Sequence, residues 1–277
     1  MERLVSTEWL AAELGASDLV VLDATLHLPD SPRNAPAEFG EGHIPGARFL
    51  DLASFVDASS DIPKALPTAE QFAARMEGLG ISPSTRVVLY DDSQIRSSAR
   101  AWFILDHYGH AQKAILDGGL EKWRAEERDL EDGASGSVAA VYPVPVSYRE
   151  TRTKADMLSN CDCRDAQVVD ARDAGRFAGL EGSGSEGHIP GAANVHFPRL
   201  FNDDGTWKSG DAIRAEFEAE GLDLSAPVTA SCNSGMTACV LLFGLGLAGK
   251  DDAALYDGSW MEWGADPATP KEKGAGR

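Results

Sequence analysis

Short apolar runs that stop at aspartate punctuate this chain. Leu19–Asp23 and Val168–Asp170 are too short for helices and do not alternate with polar residues. That predicts strands buried on both faces of a parallel sheet. Arg86–Tyr90 and Pro227–Ser231 read as a second strand of the same kind. Each is followed by a helical stretch, Ser98–Tyr108 and Thr237–Leu247, and then by a third strand, Ala114–Asp117 and Ala254–Asp257, stopped by glycine. Strands alternating with helices predict an α/β fold with a mostly parallel sheet flanked by helices.

The pattern occurs twice. Gly42-His43-Ile44-Pro45-Gly46-Ala47 returns as Gly187-His188-Ile189-Pro190-Gly191-Ala192. Val20-Val21-Leu22-Asp23-Ala24 returns as Gln167-Val168-Val169-Asp170-Ala171, Asp117-Gly118-Gly119 as Asp257-Gly258-Ser259, and Trp123 as Trp263. Landmarks in one order at nearly constant spacing mark two fused copies of a domain, because the period is far too long for a solenoid. The expected division is a first domain over 1–130, a linker over 131–149 and a second domain over 150–277. The linker, Glu131–Arg149, is punctuated by Gly133, Ser135, Gly136, Ser137, Pro143 and Pro145. A length of 277 residues suits two domains.

Composition narrows the function. Lys and Arg number 25 against 44 Asp and Glu, a net charge of −19. So acidic a chain is ill suited to nucleic acid or to an anionic membrane surface. No stretch approaches the roughly 18 apolar residues of a membrane helix, and Met1-Glu2-Arg3-Leu4 does not open like a secretory signal. The four cysteines, Cys161, Cys163, Cys232 and Cys239, are too few for a disulfide scaffold. Together these features predict a cytoplasmic protein. Cys161-Asp162-Cys163 lacks the further ligands of a zinc site, Cys239 falls on an apolar helix and reads as core, and Trp9, Trp102, Trp123, Trp260 and Trp263 read as packing residues.

Cys232 is different. It stands where the strand ending at Ser231 meets the loop Cys232-Asn233-Ser234-Gly235-Met236-Thr237-Ala238 and the helix beyond. Loops at the carboxyl ends of strands are where open α/β sheets place function. A helix N-terminus offers unpaired N–H groups and a positive dipole end, both of which stabilise a thiolate. Gly235 lets the backbone curl closely around the sulfur. A lone buried cysteine is ordinarily inert, but this context predicts a cradled, reactive one.

The loop Cys232–Ala238 resembles that of the 3-mercaptopyruvate sulfurtransferases, a branch of the rhodaneses, whose usual form is Cys-Gly-Ser-Gly-Val-Thr-Ala. Asn233 and Met236 depart from it; Ser234, Gly235, Thr237 and Ala238 match. The resemblance extends to both Gly-His-Ile-Pro-Gly motifs, to Asp203–Lys208 and to the tail from Trp260 to Pro270. It implies two tandem rhodanese-like domains, the first without the nucleophile; aligning Val87 with Val228 sets Asp91 opposite Cys232. It implies transfer of sulfur from 3-mercaptopyruvate through a Cys232 persulfide to a thiol or cyanide, with release of pyruvate. The acceptor would be a protein thiol such as thioredoxin or a low-molecular-weight thiol, and no metal or organic cofactor would be needed.

Within that resemblance, Cys232 is the expected nucleophile and Ser234 the hydroxyl that helps the departing enolate gain its proton. Asn233, Gly235, Met236 and Thr237 are expected to line the donor. Arg176, in Gly-Arg-Phe, matches an arginine that holds the donor's carboxylate or carbonyl. A second arginine expected before the second His-Ile-Pro-Gly is missing from Gly179–Gly187. His43 matches a possible proton relay, though its recurrence as His188 favours a shared structural job. Thiosulfate-preferring relatives carry basic residues just after the cysteine; Asn233 and Ser234 are neutral. Thiosulfate:cyanide transfer is the alternative, and a non-catalytic binding module a more distant one. A Cys-dependent phosphatase would need an arginine where Ala238 stands.

Overall fold

The computed structural model describes residues 1–133, 136, 139–146 and 149–276, so Ser135 and Ser137 of the expected linker lie outside the described residues. The apolar runs form two parallel sheets. The first contains β1 (Leu4–Val5), β2 (Leu19–Asp23), β3 (Arg48–Phe49), β4 (Arg86–Tyr90) and β5 (Lys113–Leu116), in the order β1-β5-β4-β2-β3. The second contains β6 (Thr151–Arg152), β7 (Gln167–Asp170), β8 (Ala193–Asn194), β9 (Val228–Ser231) and β10 (Ala254–Tyr256), in the order β6-β10-β9-β7-β8. The two orders are the same permutation, and every pairing is parallel.

The central strands are continuous apolar runs because helices cover both faces of each sheet. Val87–Tyr90 and Val228–Ser231 are buried throughout. The helix Ala238–Leu247 is buried from Ala238 to Leu245, which is why its sequence is apolar all round and not amphipathic. More exposed helices begin at polar caps: Thr68 and Thr153 each close a capping box, with Gln71 and Asp156 as partners. Trp123 and Trp263 anchor the two cores, each passing its indole N–H to a backbone carbonyl, that of Asp129 at 2.9 Å and that of Pro270 at 2.8 Å.

The chain divides into two compact units, each made of more than one segment. Met1–Asp57, Leu66–Arg149 and Asp203–Trp207 form one unit; Ala58–Ala65, Glu150–Asn202 and Lys208–Arg277 form the other. Much of the expected linker is structural. Glu131 exchanges backbone hydrogen bonds with His43, both at 2.9 Å, and Tyr142 is buried edge-on against Phe72 with its hydroxyl 3.1 Å from His110 Nδ1. Trp207 N–H donates to Asp117 Oδ1 at 2.9 Å, which ties Asp203–Trp207 to the first unit.

Candidate active site

The register of β7 and β9 places the expected nucleophile. Asp170 pairs with Ser231, and Ala171 N–H continues the ladder to Ser231 O at 3.0 Å. Cys232 is therefore the first residue past the carboxyl end of β9, beside the stretch that leads from β7 to Arg176. It is 1% exposed.

The loop after it is held from below by Ser259. The Ser259 hydroxyl donates to Tyr256 O at 2.8 Å and accepts the N–H groups of Cys232 and Gly235, each at 3.1 Å. Trp260 N–H donates to Cys232 O at 3.1 Å, and Met261 N–H to Asn233 O at 2.8 Å. Gly235 takes φ of +72°, where a side chain would be strained; its carbonyl accepts the Cys239 thiol at 3.1 Å. Among the described residues, the N–H groups of Asn233, Ser234, Met236 and Thr237 have no acceptor, nor has the Ser234 hydroxyl a partner. The loop thus offers a group of uncommitted donors at the start of the helix Ala238–Leu247, where the helix dipole also favours negative charge. Asn233 is exposed, Ser234, Gly235 and Met236 are buried, and Thr237 lies between.

Arg176 sits on the short helix Ala174–Ala178 that follows β7. Its Nε is 2.5 Å from Asp173 Oδ2, while its two Nη groups have no partner among the described residues, and 43% of its side chain is exposed. Burial tends to raise the Asp173 carboxyl, but the backbone N–H and guanidinium of Arg176 outweigh that and hold it below the usual range. Arg176 is thus pinned to Asp173 through Nε, with both Nη groups open. The insertion 179–187 carries serines and glycines where a second arginine was sought; Ser185 Oγ accepts from Arg172 Nη1 at 3.0 Å.

His43 belongs to the first unit and is fully buried. Its ring stacks on Phe39 at 3.9 Å, and its Nδ1 lies 2.8 Å from Phe39 O, so Nδ1 carries the proton. His188 repeats the arrangement with Phe177, at 3.7 Å and 2.8 Å. Each histidine also bridges its backbone to a glutamate, Glu131 or Glu272, whose carboxylate accepts the N–H of the motif's second glycine, Gly46 or Gly191. One local design serves both copies, including the copy that has no relay to make.

Sequence reasoning passed over Arg172. This guanidinium is 1% exposed. It lies along Asp170, with Nε 3.0 Å from both carboxylate oxygens and Nη2 2.7 Å from Oδ2. It also donates to Gly187 O at 2.9 Å and lies over the Trp260 ring at 4.6 Å. The available signal was the contrast between Asp170-Ala171-Arg172 and Asp23-Ala24-Thr25 in otherwise matching segments.

The rhodanese-like domain model matches residues 6–126 and 153–266. The chain is 40% identical over 270 residues to 3-mercaptopyruvate sulfurtransferase of Mus musculus, covering 94% of this chain and 91% of that protein. It is 39% identical to thiosulfate sulfurtransferase of Gallus gallus, covering 94% and 92%. The crystal structure of the 3-mercaptopyruvate sulfotransferase SseA from Escherichia coli superposes with a TM-score of 0.83 at 33% identity, over 94% of this chain and 99% of that one. Tum1 of Saccharomyces cerevisiae superposes at 0.87 with 28% identity, over 97% of each chain. The chain belongs to the rhodanese-like family, with one such domain in each half.

Proposed function

We propose that this protein transfers sulfur from 3-mercaptopyruvate to a thiol or to cyanide, with Cys232 as the carrier. The Cys232 thiolate attacks the donor's sulfur. An S–S bond forms, the C–S bond breaks, and its electron pair stays on the three-carbon fragment as the enolate of pyruvate. A proton delivered at that carbon completes pyruvate, and Ser234 Oγ is the loop hydroxyl we assign to help that step. The Cys232 persulfide then passes its outer sulfur to an acceptor thiol, giving the acceptor's persulfide and restoring Cys232, or to cyanide, giving thiocyanate.

The uncommitted N–H groups of Asn233, Ser234, Met236 and Thr237 around a strand-end cysteine carry this reading. Fixed dipoles of this kind stabilise negative charge on the sulfur in both halves of the reaction. Arg176, with two open Nη donors, suits the donor's carboxylate. The neutral pair Asn233 and Ser234 favours the singly charged keto acid over dianionic thiosulfate; thiosulfate is the second donor to consider, since relatives of comparable identity are named for it. The His43 geometry favours a structural role for that residue over a proton relay. We place the protein in the cytoplasm, with thioredoxin or a small thiol as the acceptor, because persulfide transfer needs a reduced acceptor thiol. No helix among the described residues is long and apolar enough to cross a membrane.

The test is turnover with 3-mercaptopyruvate and with thiosulfate, side by side, with cyanide as acceptor. Release of pyruvate at a clear preference for the keto acid, abolished by Cys232→Ser with the fold retained, is the expected result. Substantial activity in Cys232→Ser, or preference for thiosulfate, overturns the assignment of carrier or donor respectively.

A further inference from the structure

The duplicated fold contains its own control. Trp260 N–H donates to Cys232 O at 3.1 Å, and in the first copy Leu120 N–H donates to Asp91 O at 3.2 Å, so the same backbone bond anchors the start of both loops. Ser259 takes φ of +50° and its counterpart Gly119 takes +59°. The left-handed conformation suits glycine and strains serine. The serine that accepts this strain is the one whose hydroxyl binds two N–H groups of the Cys232 loop. A side chain at 119 would come within 2.5 Å of Asp91 O, so the first loop closes on glycine where the second is shaped around Ser259.

Arg172 follows the same logic. The first copy builds the same sheet with Thr25 there, so the fold does not require the arginine. In the second copy it spans three segments. It neutralises Asp170 at the end of β7, holds the insertion through Ser185 Oγ and Gly187 O, and lies against Trp260, the residue whose N–H binds Cys232 O. Its guanidinium is buried and committed to protein partners on these sides.

We propose that Arg172 is a positioning residue for the sulfur-carrying loop, acting through Trp260 and, by way of its neighbour Ser259, on the backbone of Cys232 and Gly235. This rests on the reading of Cys232 as the sulfur carrier. The trio Arg172, Ser259 and Trp260 accompanies the cysteine, whereas Thr25, Gly119 and Leu120 accompany Asp91. The trio fixes which way the loop's uncommitted N–H groups face, and so how well the sulfur is held as an anion.

The experiment uses the full chain with two readouts besides melting temperature. One is kcat and KM for sulfur transfer from 3-mercaptopyruvate to cyanide. The other is the rate and pH profile of Cys232 alkylation by iodoacetamide, followed on the Cys232 peptide. Arg172→Thr strands the Asp170 carboxylate, so Asp170→Asn/Arg172→Thr is compared with it. The expected result is a double variant that melts within a few degrees of wild type, with kcat reduced about tenfold or more, KM little changed, and an alkylation profile shifted to higher pH. Wild-type kcat and alkylation in that variant would overturn the proposal and leave Arg172 a purely structural ion pair. If the double variant does not fold, Ser259→Gly decides by the same readouts, because Gly119 shows that this backbone accepts glycine. Should wild type turn over no donor, the functional reading fails, while alkylation still decides whether Arg172 tunes the thiol.

Discussion

Asp91 stands in the first sheet where Cys232 stands in the second. β2 pairs Asp23 with Tyr90 and β7 pairs Asp170 with Ser231, and Asp91 and Cys232 are the next residues along. The two sites have diverged in how they use the loop's N–H groups. Asp91 turns its own carboxylate onto them, accepting from Ser93 and Ser98, each at 2.9 Å. The Cys232 loop leaves several open.

That difference predicts that a cysteine alone does not make a second site. Asp91→Cys in a Cys232→Ser background is expected to hold no sulfane sulfur after exposure to 3-mercaptopyruvate, read by intact-protein mass spectrometry. It is also expected to lose roughly 1–3 kcal/mol of stability with the two accepted hydrogen bonds. A persulfide at position 91 would show that the surrounding residues matter less than the nucleophile.

Donor choice is expected to follow loop charge. Asn233→Arg with Ser234→Lys adds two cations beside the sulfur and should raise the thiosulfate-to-mercaptopyruvate ratio of kcat/KM by about tenfold or more. Measured at low and moderate salt, the gain should shrink as ions screen it. An unchanged ratio would place donor selection elsewhere, with Arg176 the next residue to alter.

The first unit carries a pH liability at Asp23. Burial pushes its carboxyl up to about 6, against the opposing effect of hydrogen bonds from Thr25, with Asp91 nearby adding to the rise. The folded state therefore holds this proton more tightly than the unfolded chain does. The resulting stability is fully present below about pH 4 and is lost as pH rises through about 6. Asp23→Asn keeps an acceptor for Thr25 N–H and removes the charge. It should be more stable than wild type by roughly 1–3 kcal/mol at pH 8, with the gap closing near pH 4, in urea melts at both values.

The two copies of Gly-His-Ile-Pro-Gly should respond unequally to alanine. Gly187 has φ of +128°, and a Cβ there would lie 2.0 Å from Glu272 O, in the bridge that pins His188. Gly42 is extended, and its nearest obstacle is the movable Leu130 side chain at 3.4 Å. Gly187→Ala should cost about 2–4 kcal/mol and Gly42→Ala less than about 1 kcal/mol, compared by thermal melting.

The sequence by itself determined the two-domain α/β plan, the strands β2, β4, β5, β7, β9 and β10, and the loop that bears Cys232. Those features are local: continuous apolar runs, glycine stops and a repeated motif are legible because their periodicity and spacing are carried along the chain. The outer strands β1, β3, β6 and β8 escaped notice because each is two residues long and is defined only by its neighbour in the sheet. Tertiary structure alone decided that Glu131 and Glu272 clamp the two histidines, that Tyr142 packs into the first core, and that Ser259 and Trp260 hold a loop more than twenty residues earlier in the chain. It also decided the place of Arg172. Arg172 follows a strand legible in the sequence, but its burial follows from Asp170, the insertion and Trp260 meeting at one point, which no local pattern encodes.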